Sequence, residues 1–408
     1  MNPTKDYGGQ YLDSLGLHPV RDTAELARQL EQAVGRERGQ LLLRTLEDRQ
    51  ARQRSGTLSR RETAEFYQLK NRSPQAGIIL SAAHDWELLR RTCNWVAEHR
   101  EAFGEAVLDV GCDCGLLSCF LAQLIPSVQI TSIDRSGNAI AAARGLARQL
   151  GLSNITFRHG DLETLPQAEY DTVFSSRTVQ ENYDPLEENA RFLLLTRQGR
   201  ICAQVFRRYT GLLTGFIRPG GSLVTVERME RDRVFLGYCL ALNGWGMDLI
   251  PESHQELLCR EGERTTALQA FCAVKEGRTD AVAAEDFFIS GFQDRLTWQP
   301  EHLDTEGELI LELCAQELLW GVFLHTAKGA RVGKLAVYTS KYDPEELFYY
   351  QGIIGQSVRV HRCSREALKD VMALLEADLV TLTGSGLSAH PFRFQAGEEQ
   401  LTAPEDGS

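Results

Sequence analysis

From Ala106 onward one pattern repeats: a short apolar run, a turn, then a stretch whose apolar residues recur every three or four positions. The runs "AVLDVG", "QITSIDR", "ITFRHGD" and "YDTVFSSR" read as strands, with "LLSCFLAQLI" and "GNAIAAARGLARQLG" as helices between them, the second stopped at Gly151. A helix between successive strands returns the chain to the same edge, so this alternation predicts a parallel sheet with helices on both faces. After a helical stretch around "PLEENARFLLLT", "FIRPGGSLVTVER" reads as a turn into a fifth strand, and "QELLCRE" with "TTALQAFCAVK" as a hairpin that closes the sheet.

Four segments follow from these patterns. Residues 1–97 read as a helical N-terminal region, with Asp22 and Glu25 spaced as a capping box and Trp86, Leu89, Cys93 and Val96 on one face of a helix that Asp85 starts. Residues 98–277 hold the alternating α/β domain. Residues 278–395 read as a small α+β domain, in which "LLWGVFLHT" and "VGKLAVYTS" flank "AKGAR" as a hairpin, "SREALKDVMALLEA" is a helix and "DLVTLTG" a strand. The polar, acidic tail 396–408 is expected to be disordered.

Composition excludes several classes. No run of about 18 apolar residues exists, so no membrane span is expected, and the N-terminus lacks the apolar stretch of a secretory signal. Ten cysteines at irregular spacing, with no export signal, point to reduced thiols and a cytoplasmic protein. The net charge of −12 argues against a whole-chain nucleic-acid footprint. One exception is Arg36 to Arg72, with ten Lys/Arg against five Asp/Glu; RNA contact there stays open, although a solvated helical face is the favoured reading.

The turn "DVGCDCG" concentrates the chemistry. Its cysteines lack the paired knuckles of a zinc site, so no metal is expected, and no lysine follows Gly115 as a phosphate-cradling loop requires. What remains is a strand, a glycine turn and a helix N-terminus, which together present backbone N–H groups to a ligand. Here the chain resembles the class I S-adenosylmethionine-dependent methyltransferases, with Asp109, Gly111 and Gly115 on that family's first motif. The resemblance implies a Rossmann-like seven-stranded methyltransferase sheet, whose extra antiparallel strand the final hairpin supplies. It also implies S-adenosylmethionine as cofactor, held by Asp109, Gly111, Cys112, Asp113 and Gly115 in the turn. Asp134 would stand at the ribose, Asp161 and Leu162 at the adenine, and Ser175, Ser176 and Arg177 by the methyl-donor cleft, with Arg135 also among the cofactor-binding residues. Asp113 departs from the pattern by replacing the middle glycine. Aspartate tolerates a left-handed backbone, and its carboxylate there would suit the cofactor's sulfonium and amino groups.

Acceptor identity would lie in the loop "SSRTVQENYDP", where Arg177, Glu181 and Tyr183 are candidate catalytic or positioning residues, with His84 within reach. That loop lacks the N-P-P-Y type motif of the family's amino-methylating branches. The acceptor, a small molecule or a macromolecule, stays unidentified. Two alternatives stand beside an active enzyme: a non-catalytic S-adenosylmethionine-binding scaffold, and a nicotinamide-dependent oxidoreductase.

Overall fold

A computed structural model describes residues 5–54, 60–83, 85–179, 182, 195–229, 232–261, 264–277, 281–290, 309, 311–341, 343–353 and 359–391. Six helices come first: α1 (Tyr7–Ser14), α2 (Thr23–Val34), α3 (Arg36–Arg54), α4 (Arg60–Lys70), α5 (Pro74–Ala83) and α6 (Trp86–Glu98). Asp22 caps α2 by accepting from the Glu25 N–H at 2.7 Å, but the Glu25 carboxylate takes the N–H of Arg21, so only half of the expected capping box forms. Leu26, Leu30, Leu42, Leu46, Phe66 and Leu80 give α2–α5 a small core of their own.

The alternating segment follows as β1 (Ala106–Val110), α7 (Leu116–Leu124), β2 (Gln129–Asp134), α8 (Gly137–Gln149), β3 (Ile155–His159), β4 (Tyr170–Ser176), α9 (Leu195–Gly215), β5 (Ile217–Arg228), α10 (Arg233–Asn243), β6 (Met247–Glu261) and β7 (Arg264–Lys275). These strands make one seven-stranded sheet in the order β3-β2-β1-β4-β5-β7-β6. Strands β1 to β5 pair in parallel, while β7 runs antiparallel to both β5 and β6. The core on this sheet draws Tyr11 and Leu12 from α1, Leu89, Cys93 and Trp95 from α6, Cys119 and Phe120 from α7, and Ala143 and Leu146 from α8. Most of the stretch "PLEENARFLLLT" lies outside the described residues.

By compactness the chain divides into two units. The first holds Met1–Asp184, Val205–Glu230 and Ala241–Ala283, which places α1–α6 with the seven-stranded sheet. The second holds Pro185–Gln204, Arg231–Leu240 and Ala284–Ser408, and its centre is a five-stranded sheet. Its strands are β8 (Ala315–His325), β9 (Arg331–Ser340), β10 (Glu346–Ile353), β11 (Arg359–Ser364) and β12 (Ser388–Pro391), ordered β11-β10-β9-β8-β12, and between Ala281–Ser290 (α11) and β12 runs the helix α12 (Leu368–Gly384).

The expected hairpin around "AKGAR" is β8 and β9. The strand expected for "DLVTLTG" is a correction: those residues continue α12. Leu375, Leu379 and Leu382 keep helical spacing and pack on the second sheet, and Asp378 accepts from Tyr349 Oη at 2.7 Å. That packing outweighs the weak helix preference of Val380, Thr381 and Thr383. The tail 396–408 lies outside the described residues.

Candidate active site

The chain leaves β1 through a turn with three left-handed residues in five: Gly111 (φ 71°), Asp113 (φ 46°) and Gly115 (φ 80°). Side chains have no room at the two glycines. A Cβ on Gly111 would stand 2.6 Å from Thr178 Cγ2, and one on Gly115 would stand 2.7 Å from Ala143 Cβ. The N–H groups of Gly111 and Cys112 both donate to Ile133 O, which pins the turn to β2.

Three carboxylates surround this turn. Asp109, buried at the end of β1, accepts from the hydroxyls of Ser118 and Ser132, and burial pushes its carboxyl up to about 6. Asp134 ends β2. Its Oδ1 accepts from Ser136 N at 2.7 Å and its Oδ2 from Asp113 N at 2.9 Å; burial, then the charge of Asp113, raises it to about 6. Asp113 behaves in the opposite way. Burial alone would raise it, but the ammonium of Lys70 holds it below the usual carboxylate range.

That contact corrects the expectation for Asp113. Its carboxylate, expected to turn toward a cofactor cation, is taken up by the N-terminal helices instead. Lys70 Nζ lies 2.5 Å from Oδ2, Ser81 Oγ donates to the same oxygen at 2.8 Å, and Asn71 Nδ2 donates to Oδ1 at 3.0 Å. A second cross-link lies nearby. Arg177, left-handed at φ 60°, donates from Nη1 to Asp85 Oδ2 at 2.6 Å. Asp85 therefore gives its carboxylate to Arg177 and makes no side-chain cap to α6. Burial disfavours the guanidinium charge, yet the Asp85 carboxylate raises Arg177 further above its ordinary value.

The pocket at this edge is lined by Ser81, Leu89, Asp109, Gly111, Cys112, Asp113, Cys114, Leu116, Leu117, Ser176 and Arg177. Among the described residues Ser176 Oγ, buried there, has no hydrogen-bond partner, a polar atom that a ligand can satisfy. Ser175 faces the other way, because neighbouring residues of a strand alternate sides. Its hydroxyl is committed to Thr178 Oγ1 at 2.6 Å and to Glu227 Oε1 at 2.7 Å, so of the three residues expected at the cleft Ser176 and Arg177 line the pocket and Ser175 does not. Leu162 is buried beside Asp161, whose Oδ2 pairs with Arg135 Nε at 2.6 Å; Arg135 also donates to Asn182 Oδ1. Glu181, Tyr183 and His84 lie outside the described residues.

Sequence reading missed Lys70, Asn71, Ser81 and Glu227. Glu227 is wholly buried under the loop that follows β4, accepting from Ser175 Oγ and the Val179 N–H, and burial lifts it to about 7. An acid inside the apolar run "SLVTVER" was its signal. For Lys70 the signal was the missing glycine itself, since a charged residue at a buried turn requires a partner. The two turn cysteines, Cys112 and Cys114, and Cys119 on α7 are buried thiols, and among the described residues no cluster of His, Cys, Asp and Glu can hold a metal ion.

Residues 103–226 match a family model described as a methyltransferase domain. Among relatives, the ribosomal RNA small subunit methyltransferase G of Chlorobaculum tepidum is 38% identical over 85 residues, 21% of this chain and 37% of that protein. Its counterpart from Chlorobium limicola is 30% identical over 129 residues, 32% of this chain and 47% of that protein. The chain thus spans less than half the length of these curated relatives. Among solved structures, the magnesium protoporphyrin IX methyltransferase of Synechocystis with bound SAM is similar over 50% of this chain and 83% of that one, at 18% identity and a TM-score of 0.36. Residues 103–226 thus form a methyltransferase domain, and the sheet order ending in a reversed β7 and the glycine turn after β1 are those that the resemblance to the class I S-adenosylmethionine-dependent methyltransferases implies.

Proposed function

We propose that the protein transfers a methyl group from S-adenosylmethionine to an acceptor held beside the loop after β4. The observation that carries this reading is the meeting of the left-handed turn with Asp134 at the carboxyl edge of the parallel strands, closed by the Asp113 N–H. The residues fit such a cofactor. Gly111 and Gly115 keep two positions of the turn free of side chains, Asp134 offers remaining carboxylate lone pairs to ribose hydroxyls, and Ser176 Oγ lacks a partner among the described residues.

When bound, the cofactor supplies the electrophilic methyl group. The protein's share is placement. Gly111, Cys112 and Gly115 contribute backbone at the turn, and Asp109 braces it through Ser118 and Ser132. Asp134 holds the ribose, while Asp161, Leu162 and Arg135 form the adenine side. Arg177 bounds the acceptor side. Alignment of donor and nucleophile is the main demand of an in-line displacement.

RNA is the acceptor class to test first, because two relatives are named for ribosomal RNA. The basic stretch 36–72 supports it only modestly, since Arg61 and Lys70 are paired with Glu65 and Asp113. Cytoplasmic residence belongs to the same proposal and rests on ten cysteines without a disulfide. Among the described residues no helix is long and apolar enough to cross a membrane.

Calorimetry with S-adenosylmethionine and S-adenosylhomocysteine tests the reading. Binding by the wild type and at least about tenfold weaker binding by Asp134→Ala are expected, as for a lost charge-assisted pair of hydrogen bonds. Absence of wild-type binding would overturn it. Binding without methyl transfer to RNA, protein or small-molecule fractions would instead favour a scaffold.

A further inference from the structure

We propose that Lys70 is a positioning residue for the donor turn, acting through Asp113; the role rests on the methyl-donor reading above. Three observations lead there. First, the side chain of Lys70 is only 7% exposed and that of Asp113 27%, so the two charges meet largely out of water. Second, Asp113 holds a left-handed backbone at a position where the family's pattern has a glycine. Third, the residue is gripped from opposite sides. Lys70, Asn71 and Ser81 draw its carboxylate toward α4 and α5, while its N–H is drawn to Asp134 at the end of β2.

A glycine at this position would leave the turn free to sample several conformations. Aspartate with a buried ammonium fixes one of them before any ligand arrives, and such preorganisation strengthens binding by lowering the ordering cost. Lys70 has a second effect at the same place. Asp113 and Asp134 carry like charges at the turn, and the Lys70 charge offsets their repulsion. Neither Asp113 nor Lys70 is useful alone. Removing the lysine strands a buried carboxylate in the turn, whereas removing both restores the simple glycine form.

The test is a double-mutant cycle of Lys70→Met and Asp113→Gly read in two ways. One readout is amide hydrogen exchange of residues 111–116 in the ligand-free protein. The other is affinity for S-adenosylhomocysteine by calorimetry. Lys70→Met is expected to speed exchange in the turn and to weaken binding about tenfold or more, whereas Lys70→Met/Asp113→Gly regains affinity to within about threefold of the wild type while its turn exchange stays fast, as a glycine turn's should. Lys70→Arg, which keeps the charge, is expected to retain most of the affinity.

Unchanged exchange and affinity in Lys70→Met would overturn the proposal. So would a double variant that binds as weakly as Lys70→Met, since the lysine would then act by packing rather than through Asp113. Should Lys70→Met fail to fold, Ser81→Ala removes one donor to the same oxygen and is expected to move both readouts in the same direction by a smaller factor; no movement overturns the proposal. If the wild type binds no S-adenosylhomocysteine but turn exchange follows the predicted cycle, the donor reading falls and Lys70 stands as the residue that fixes the turn.

Discussion

At the scale of single residues, two glycines within thirty positions should respond to alanine with opposite signs. Gly115 sits at φ 80°, with Ala143 Cβ 2.7 Å from where its own Cβ would be. Gly115→Ala is expected to destabilise the fold by roughly 2–4 kcal/mol, combining left-handed strain with overpacking. Gly145, inside α8, has nothing within 4 Å of its added Cβ. Gly145→Ala should therefore stabilise by roughly 0.5–1 kcal/mol, since the unfolded chain loses freedom it would otherwise keep. Urea midpoints at unchanged slope read both effects. The turn around Gly115 was legible because left-handed positions demand particular residues, and Asp109, Gly111, Gly115 and Asp134 do meet at one edge. The partners of Asp113 were not. Lys70 and Ser81 lie 43 and 32 positions away, and a cross-link between a helix and a remote turn leaves no local pattern.

At the scale of elements, the local period was a good guide wherever packing agreed with it. The parallel strands and the β6–β7 hairpin came through because each is an apolar run bounded by turn residues. It misled at "DLVTLTG", where β-branched residues belong to a helix that the second sheet holds in place. Strands β10 and β11 gave no usable alternation. Along β10, residues Leu347 to Ile353 are all buried, which removes the polar half of the pattern. The small core of α2–α5 offers a test at this scale. Leu30 is wholly buried in it, so Leu30→Ala is expected to cost about 3 kcal/mol. Phe66 on α4 and Leu80 on α5 share that core with Leu30, one residue cluster away from Lys70 and Ser81. Loosening it should also weaken S-adenosylhomocysteine binding in calorimetry. Unchanged affinity would uncouple the helical core from the turn.

At the scale of the whole molecule, three buried carboxylates set how stability varies with pH. Asp109 and Asp134 rise from an ordinary 3.8 to about 6 on folding, and Glu227 from 4.5 to about 7. A carboxyl raised in the folded state favours folding fully below its unfolded value and loses that contribution as pH climbs through the folded one. Stability should therefore fall between about pH 4 and pH 7, and Glu227 alone should account for roughly 3 kcal/mol of the decline. Asp113 is lowered instead, so its contribution is lost only under more acid conditions, as pH falls below the ordinary carboxylate value. Denaturant midpoints across that range check the slope. Glu227→Gln, whose amide can still accept from the Val179 N–H, should flatten it.

The ten thiols have a practical consequence of their own. Nine are buried and Cys363 is half-buried, while burial raises several of them well above the ordinary thiol value, to about 12 for Cys114 and Cys119. A maleimide reagent at neutral pH therefore finds one accessible sulfur on the intact molecule and ten on the opened chain. Counting adducts by mass would weigh the opened fraction directly in a crude extract. Each variant named above could then be ranked before it is ever purified.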